Sequence, residues 1–456
     1  MSASPPEDGA PQPERFAGLL ESLLDRARAA GADAGDAVAA ESLSLHVSAR
    51  EGKLEDVDRS EGRDVSLRVF VGKRSASVSS SDLSDEGLTR LAERAVSMAK
   101  FAPEDEWAGL APKERLATEI PDLDLFDAAI PGPEALEARA LETEAAALAV
   151  PGVAKTDEAW AGWGASGVLL ATTEGFSHGW RASSHHFGVA TIAEKNGAME
   201  RDYEADSARH ATDLKPARQV GDEAGRRAAS RLGSAKTPSG KRPVIFENRI
   251  AGSLIGAFSS AIAGPSIARG VSFLRGSMGE KVFADGIRII DDPYIARGAG
   301  SRPFDAEGVP GSRMELIEDG VLTSWMLNMA SAAQLGLSTT GHAARGGGGA
   351  PGVSSSNLWI APGDKDLDAL VSEISEGLLV TEMFGPSLNP NTGDWSVGVA
   401  GFAIRDGERA GPVSEITVAG NLKDIFARLE PGSDLEMRRH VNAPSLRVDA
   451  LSVAGL

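Results

Sequence analysis

Apolar side chains recur at helical spacing in Phe16, Leu19, Leu20, Leu23, Leu24 and Ala27, and the stripe stops at Gly31. Alternation then replaces that period. Leu43, Leu45 and Val47 predict one strand, and Val65, Leu67, Val69 and Val71 a second that turns at Gly72-Lys73 into Ala76 and Val78. Ser84 fits a helix N-cap, with Asp85 and Glu86 placed to favour the helix dipole. The helix it opens carries Leu88, Leu91, Ala92, Ala95 and Ala99 on one face. The stretch from Phe101 to Pro133 is rich in proline and has no period, which reads as a linker. An Ala/Glu-rich helix from Glu134 to Val150 stops at Pro151-Gly152; glycine-rich strand-like segments run from Val153 to Asp206, and a helix spans Ala217 to Leu232.

Gly233 to Lys241 carries the turn-forming composition of a domain boundary. Beyond it Val244-Ile245-Phe246 predicts a strand, and Ile250, Leu254, Ile255, Phe258 and Ile262 mark the buried face of a helix. Asp319-Gly320 separates two short apolar runs as a hairpin, Leu367 to Leu378 reads as a helix, and Leu446, Val448 and Leu451 as a C-terminal strand. The expected organisation is therefore a disordered tail over 1–13, a first α/β unit over 14–100, a linker over 101–133, a second unit over 134–235, and a β-rich C-terminal domain over 236–456. Helices and strands do not alternate regularly, so the expected class is α+β: helix/sheet units followed by a mainly antiparallel β-rich domain.

The stretch from Leu378 to Phe426 reads as a β-meander. A turn cluster (Asn389, Pro390, Asn391, Thr392, Gly393, Asp394) precedes the alternating Trp395, Val397 and Val399, and a second turn at Asp406-Gly407 leads to Ile416, Val418 and Gly420-Asn421. Ordinary turn chemistry accounts for these residue types. The alternative is a cleft in which Gly393, Gly398 and Gly401 let another backbone come close.

Composition narrows the function classes. The 456-residue chain has 46 Lys+Arg against 66 Asp+Glu, a formal net charge of −20. Phosphate neutralisation needs clustered cations, so broad nucleic-acid or anionic-membrane binding is not expected. There is no cysteine, which excludes disulfides, thiolate chemistry and Cys-based zinc sites. The N-terminus lacks the charge and apolar pattern of a signal peptide and no apolar run approaches bilayer length, so a cytoplasmic protein is expected.

The seven histidines (His46, His178, His185, His186, His210, His342 and His440) show no helical pair spacing. Adjacent His185 and His186 would point to opposite faces of a strand. The glycines from Gly346 to Gly349 lead into Ala350-Pro351, not into the Lys-Ser/Thr and helix of a phosphate loop. No nucleophile elbow is present.

Asn389-x-x-Thr392-Gly393-Asp394-x-Ser396, Gly401-Phe402 and Glu415-Ile416-Thr417-x-Ala419-Gly420-Asn421 together resemble the TldD/PmbA family, and within it the PmbA (TldE) branch. So do Ser301 to Gly308, Ser338 to Ala343, Gly52 to Glu55 and Leu67 to Arg74. The resemblance implies the subunit of a cytoplasmic heterodimeric zinc metallopeptidase acting on unfolded or precursor peptides. Its TldD-type partner would carry the zinc, with a homodimer as the assembly when that partner is absent. Where TldD-type subunits carry His-Glu-x-x-x-His, this chain reads Asn248-Arg249-Ile250-Ala251-Gly252-Ser253. The ligand positions are Asn248 and Ser253, and Arg249 replaces the general base, so no catalytic residue and no metal or other cofactor is expected in this chain. The glycine-rich meander fits the role of a peptide-binding cleft beside the partner's zinc, with Asn389, Thr392, Gly393, Asp394, Ser396, Gly398, Gly401 and Asn421 as its candidate residues, and Gly393→Trp is expected to reduce cleavage without affecting assembly. The family's older name leaves a second reading open, a non-enzymatic protein that modulates DNA gyrase.

Overall fold

The computed structural model describes residues 10–346 and 348–456. In the N-terminal half, helix α1 (Ala17–Ala29) leads to strands β1 (Ala34–Arg50), β2 (Lys53–Val71) and β3 (Arg74–Ser80) and helix α2 (Asp85–Phe101). Helix α3 (Pro133–Leu148), strands β4 (Val153–Thr172), β5 (Ser177–Lys195) and β6 (Ala198–Ala208) and helix α4 (Ala217–Ser230) follow. Ser84 caps α2, its hydroxyl accepting from the Gly87 amide at 3.1 Å. The two predicted units share one antiparallel sheet of order β3-β2-β1-β4-β5-β6, joined where β1 pairs with β4 from Asp36↔Thr172 to Ala49↔Ala159.

Period-two burial divides that sheet into two working faces. Ala37 and Ala39 sit with Leu20, Leu23, Leu88 and Leu91 of α1 and α2, and Val47 and Ala49 with Leu136, Ala140 and Val220 of α3 and α4. All four are odd-numbered positions of β1, so the helices cover one face. Val38 points the other way and packs beside Phe176, Phe304 and Val309, which joins the sheet to the C-terminal domain.

The C-terminal domain opens with strand β7 (Gly240–Phe246) and helices α5 (Asn248–Ala261) and α6 (Gly264–Ala268). Strands β8 (Ile289–Asp292), β9 (Met314–Glu318) and β10 (Val321–Leu322) and helix α7 (Met329–Leu335) come next. They are followed by β11 (Ala343–Ala344), β12 (Gly352–Val353), β13 (Asn357–Ile360) and α8 (Leu367–Ser372), then β14 (Glu376–Leu388), β15 (Asp394–Arg405) and β16 (Glu408–Asn421). Helix α9 (Leu422–Phe426) and strands β17 (Leu429–Pro431), β18 (Val441–Asn442) and β19 (Leu446–Ala454) end the chain. The order β16-β15-β14-β7-β19 closes on itself, because β16 also pairs with β19 from Thr417↔Ala454 to Ala419↔Ser452. The result is a β-barrel. Leu254, Ile255 and Phe258 of α5 pack against its strands beside Val244, Phe246, Val397 and Val418. A second sheet has the order β10-β9-β8-β13-β18. The class is α+β, as expected.

Both Asp-Gly turns adopt positive φ at each residue: 47° and 78° at Asp319-Gly320, 50° and 78° at Asp406-Gly407. This is the backbone a type I′ hairpin requires. Other expectations change. The helix expected from Leu367 to Leu378 stops at Ser372, and Leu378 lies in β14, where parallel pairing with Val244 overrides local propensity. The stretch 101–133 has almost no regular structure, yet Leu116, Ala117, Leu123 and Leu125 are buried and the Ala117 amide donates to the Gly308 carbonyl at 2.8 Å. It is a strap that binds both domains. Residues 1–9 of the expected disordered tail lie outside the described residues, whereas Ala10, Pro11 and Pro13 are buried. Among the described residues, no helix is long and apolar enough to cross a membrane.

Candidate functional site: a cleft between the two domains

The sheet ends at β6, and among the described residues no other strand covers its outer edge. Beside it, α4, the first turns of α5 and the segment 436–443 enclose a cleft of about 700 Å³. Tyr203, Ala205 and Ser207 line it from β6, and Asn248, Arg249 and Ser253 from α5. Outward carbonyls of β6 are those of Arg201 and Tyr203, which accept from Arg231 at 2.9 Å and Arg249 at 2.6 Å. Period two places Ala205 and Ser207 on the same edge. Among the described residues, no group bonds to their outward backbone N–H or C=O. The cleft therefore presents a short run of unpaired strand edge, the feature that accepts an added strand.

Arg249 dominates the inner wall. Its guanidinium bonds to Asp202 through both terminal nitrogens at 3.0 Å, to the Tyr203 carbonyl, and to the Thr381 carbonyl at 2.9 Å. It also lies over the Tyr203 ring, 4.8 Å from the centroid. Arg227 and Arg231 extend this network. Arg227 pairs with Glu204, Glu223 and Glu247, and Arg231 with Glu200, Asp202 and Glu382. Three guanidinium groups thus serve six carboxylates drawn from both domains. Burial pushes Glu204 and Glu382 above the usual carboxylate range, against the pull of Arg227 and Arg231 respectively. Burial alone would lower Arg227, but Glu247, Glu204 and Glu223 reverse it and hold that cation more firmly.

These residues do not fit zinc. The Asn248 amide donates to the Asp434 carbonyl at 2.9 Å, and the Ser253 hydroxyl donates to the Ile250 carbonyl of its own helix at 2.8 Å. Arg249 adds a fixed cation to the same helix turn, and the nearby carboxylates are engaged by arginines. Among the described residues, no three His, Asp or Glu side chains gather as a metal-holding group. His185 turns to Asp127 and His186 stacks on His46, on opposite sides of β5.

The meander residues lie elsewhere. Asn389, Thr392, Gly393, Asp394 and Asn421 come together at the β14–β15 turn and satisfy one another. Thr392 donates to Asp394 at 2.7 Å, and the Asn421 amide to the Thr392 carbonyl and to Asp394 at 2.9 and 3.0 Å. Gly393 has φ +83°, and a Cβ there would stand 3.2 Å from the Phe273 ring, so Gly393→Trp would disrupt the turn itself. Ser396, Gly398 and Gly401 sit within the barrel, opposite Ala419, Thr417 and Val413. A Cβ on Gly401 would lie 2.0 Å from the Leu379 carbonyl, so strand packing already requires that glycine. None of these eight residues lines the 700 Å³ cleft; the nearest contribution from the meander is Met383.

Comparison with known proteins places this geometry. Residues 35–99, 127–232 and 239–455 match the first, central and C-terminal domains of the PmbA/TldA metallopeptidases. A protein of Escherichia coli O157:H7 named Metalloprotease PmbA is 36% identical over 425 residues, covering 93% of this chain and 92% of its own. The chain belongs to the PmbA/TldD metallopeptidase family. A Haemophilus influenzae protein named as a Metalloprotease PmbA homolog is 33% identical over 95% of the chain and 94% of its own length. A crystal structure from Bacteroides thetaiotaomicron, described as a proposed modulator of DNA gyrase, superposes with TM-score 0.89 at 25% identity, covering 97% of this chain and 99% of that one. TldE from Thermococcus kodakarensis shares the fold, with TM-score 0.83 at 21% identity over 96% of this chain and all of that one.

Two PmbA/TldD motifs do not reach the cleft at all. Arg302, Asp305 and Glu307, from one motif, and His342, from another, build a buried seam beneath the N-terminal sheet. Asp36 of β1 accepts from both Arg68 and Arg345, and Arg68 lies 3.9 Å from Glu307. Asp305 caps its own loop through the Glu307, Val309 and Ala343 amides, while His342 bonds to Asp291 at 3.1 Å. Burial, with Asp305 nearby, pushes the Glu307 carboxyl up to about 7. Nothing in the sequence distinguished this structural seam from a site; its residue types are those of either.

Proposed function

We propose that this chain is the PmbA/TldE-type subunit of a heterodimeric TldD/TldE metallopeptidase, without a metal site of its own, acting in the cytoplasm on unfolded or precursor peptides. The observation that carries the reading is Arg249. The resemblance sets it where TldD-type subunits carry the general base, and its guanidinium is committed to Asp202, Tyr203 and Thr381. Water activation and carbonyl polarisation by zinc then belong to the partner.

What this chain supplies is shape and backbone. The open edge at Ala205 and Ser207 offers main-chain donors and acceptors that recognise an extended peptide regardless of its sequence. An unfolded peptide has its whole backbone free to extend along such an edge, whereas most strands of a folded protein are already paired. The test mixes the purified chain with a TldD-type subunit and follows mass by light scattering alongside cleavage of an unfolded peptide. A one-to-one complex whose activity needs both chains is expected. Separate species at micromolar concentration, or a partner fully active alone, would overturn the proposal. Gyrase modulation, the second reading, predicts neither complex nor cleavage in this assay.

A further inference from the structure

We propose that the far end of the cleft is a carboxylate-binding subsite formed by Arg209, Arg438 and Arg439, which holds an anionic group of a peptide lying along β6. The proposal rests on the reading of the cleft as a peptide site. Its first support is continuity. A second cavity of about 340 Å³ adjoins the cleft and shares Ser207, Arg438 and Arg439 with it, so the open edge of β6 runs from one into the other.

The second support is charge. Four arginines line this cavity, the three named and Arg297, against a single carboxylate, Asp213. Arg297 already engages that carboxylate at 3.1 Å and Asp124 at 2.6 Å, so the excess lies with Arg209 and Arg439. In a chain of net charge −20, a cavity with such a cationic excess is out of character. Arg209 donates only to carbonyls, those of Ser183 at 3.0 Å, Gly298 at 3.4 Å and Ala299 at 2.5 Å. Among the described residues, no carboxylate lies within ion-pair distance of Arg209 or Arg439. Burial of Arg209 without a counter-ion lowers its affinity for its proton. The exposed Arg439 guanidinium donates to the Arg249 carbonyl at 3.0 Å, and its other donors engage no group among the described residues. Arg438 is held 3.6 Å from Asp206 and donates to the Asp213 carbonyl, which fixes it at the junction of the two cavities.

A planar carboxylate matches this arrangement, because a guanidinium fork binds it through two parallel bonds. A polyanion does not, since Glu436, Asp206 and the overall negative charge surround the entrance. The carboxylate comes either from the peptide's C-terminus or from an Asp or Glu side chain. Three fluorescent unfolded decapeptides separate the sources: one without Asp or Glu and with a free C-terminus, its C-terminal amide, and an amide with one internal Glu.

Binding of each to the full-length chain is read by fluorescence anisotropy. At least one anionic peptide is expected to bind about tenfold tighter than the neutral amide, the size of one charge-assisted hydrogen bond. Arg439→Gln and Arg438→Gln should each narrow that gap, with unchanged melting temperatures showing that the fold is kept. Equal binding of all three peptides would overturn the subsite and leave the peptide cleft standing. Binding of none would overturn the peptide reading itself, and the subsite with it.

Discussion

Replacing Arg249 with alanine should loosen the joint between the domains. Asp202 and Tyr203 stand on β6 and Thr381 on β14, so the four bonds from this guanidinium span the two halves of the molecule. The pair is almost dry: 6% of the Arg249 side chain and 2% of the Asp202 side chain are exposed. Removing one partner of a buried ion pair costs about 3–5 kcal/mol, because the other charge stays behind. Arg231, 3.4 Å from Asp202, still offsets part of that charge. The two abandoned carbonyls add to the cost, since a buried acceptor left unmade is worth about 1–3 kcal/mol. These terms set the loss at no less than about 3 kcal/mol. Lysine would keep a charge but only one point of contact, and should lose roughly half as much. The assay is tryptic cleavage at the exposed Lys236 in the connection between α4 and β7. When cleavage follows an opening equilibrium, about 3 kcal/mol raises its rate about 100-fold. A rate within threefold of the unmodified chain, with an unchanged melting temperature, would refute the clamp.

Glu307 should make the seam pH-dependent. Its folded pKa of about 7 exceeds the ordinary 4.5, so the folded chain holds a proton that the unfolded chain releases, and stability falls as pH rises from about 4.5 through 7. Glu307→Gln should therefore match the unmodified chain near pH 4.5 and exceed it by about 3 kcal/mol at pH 8, read by urea midpoints; a pH-independent difference would count against this. Gly401→Ala should lower thermal stability by at least about 2 kcal/mol through its collision with the Leu379 carbonyl, and a neutral result would mean that β14 and β15 have room to part. Elemental analysis of untagged, dialysed protein should find well under one zinc per chain; stoichiometric zinc abolished by specific histidine changes would contradict the reading of Asn248, Arg249 and Ser253.

Local chemistry was legible in the residues where local chemistry decides. Ser84, the Asp319-Gly320 and Asp406-Gly407 turns and the buried Leu254, Ile255 and Phe258 of α5 are set by groups a few positions apart, and the structure forms each as expected, although Ile250 lines the cleft and Ile262 follows the helix end. Barrel closure is different, because Thr417 meets Ala454 only after the chain has returned through β17 and β18. The strap between α2 and α3 looked like a linker because its buried positions, Leu116, Leu123 and Leu125, follow no period. They fill gaps between domains and do not line a helix or a strand. The cleft was least legible of all. It is assembled from β6, α4, α5 and the segment 436–443, and the turn around Asn389 drew attention because its polar residues cluster in sequence. Those residues bond to one another, which is what a clustered turn usually does.

The position of Arg249 bears on how the two domains of this fold are held together. A ligand-binding helix end must leave its side chains free to converge on an ion, and convergent free ligands contribute little to holding domains together. Here the first turn of α5 has been put to the opposite use. Asn248 ties the helix to the Asp434 segment, and Arg249 ties it to β6 and β14. Exchanging Arg249 for glutamate would add an anion beside Asp202, Glu247 and Glu382 while removing the cation that serves Asp202. The Coulomb cost of that step falls on the same contacts that dock the domains. Building a metal site here would thus require several coordinated changes, at Asn248 and Ser253 as well as Arg249, each passing through a weaker joint. The side chains that clamp the domains are therefore the same ones that leave no free ligands at the start of α5, so the Arg249 variant tests the joint and the proposed division of labour together.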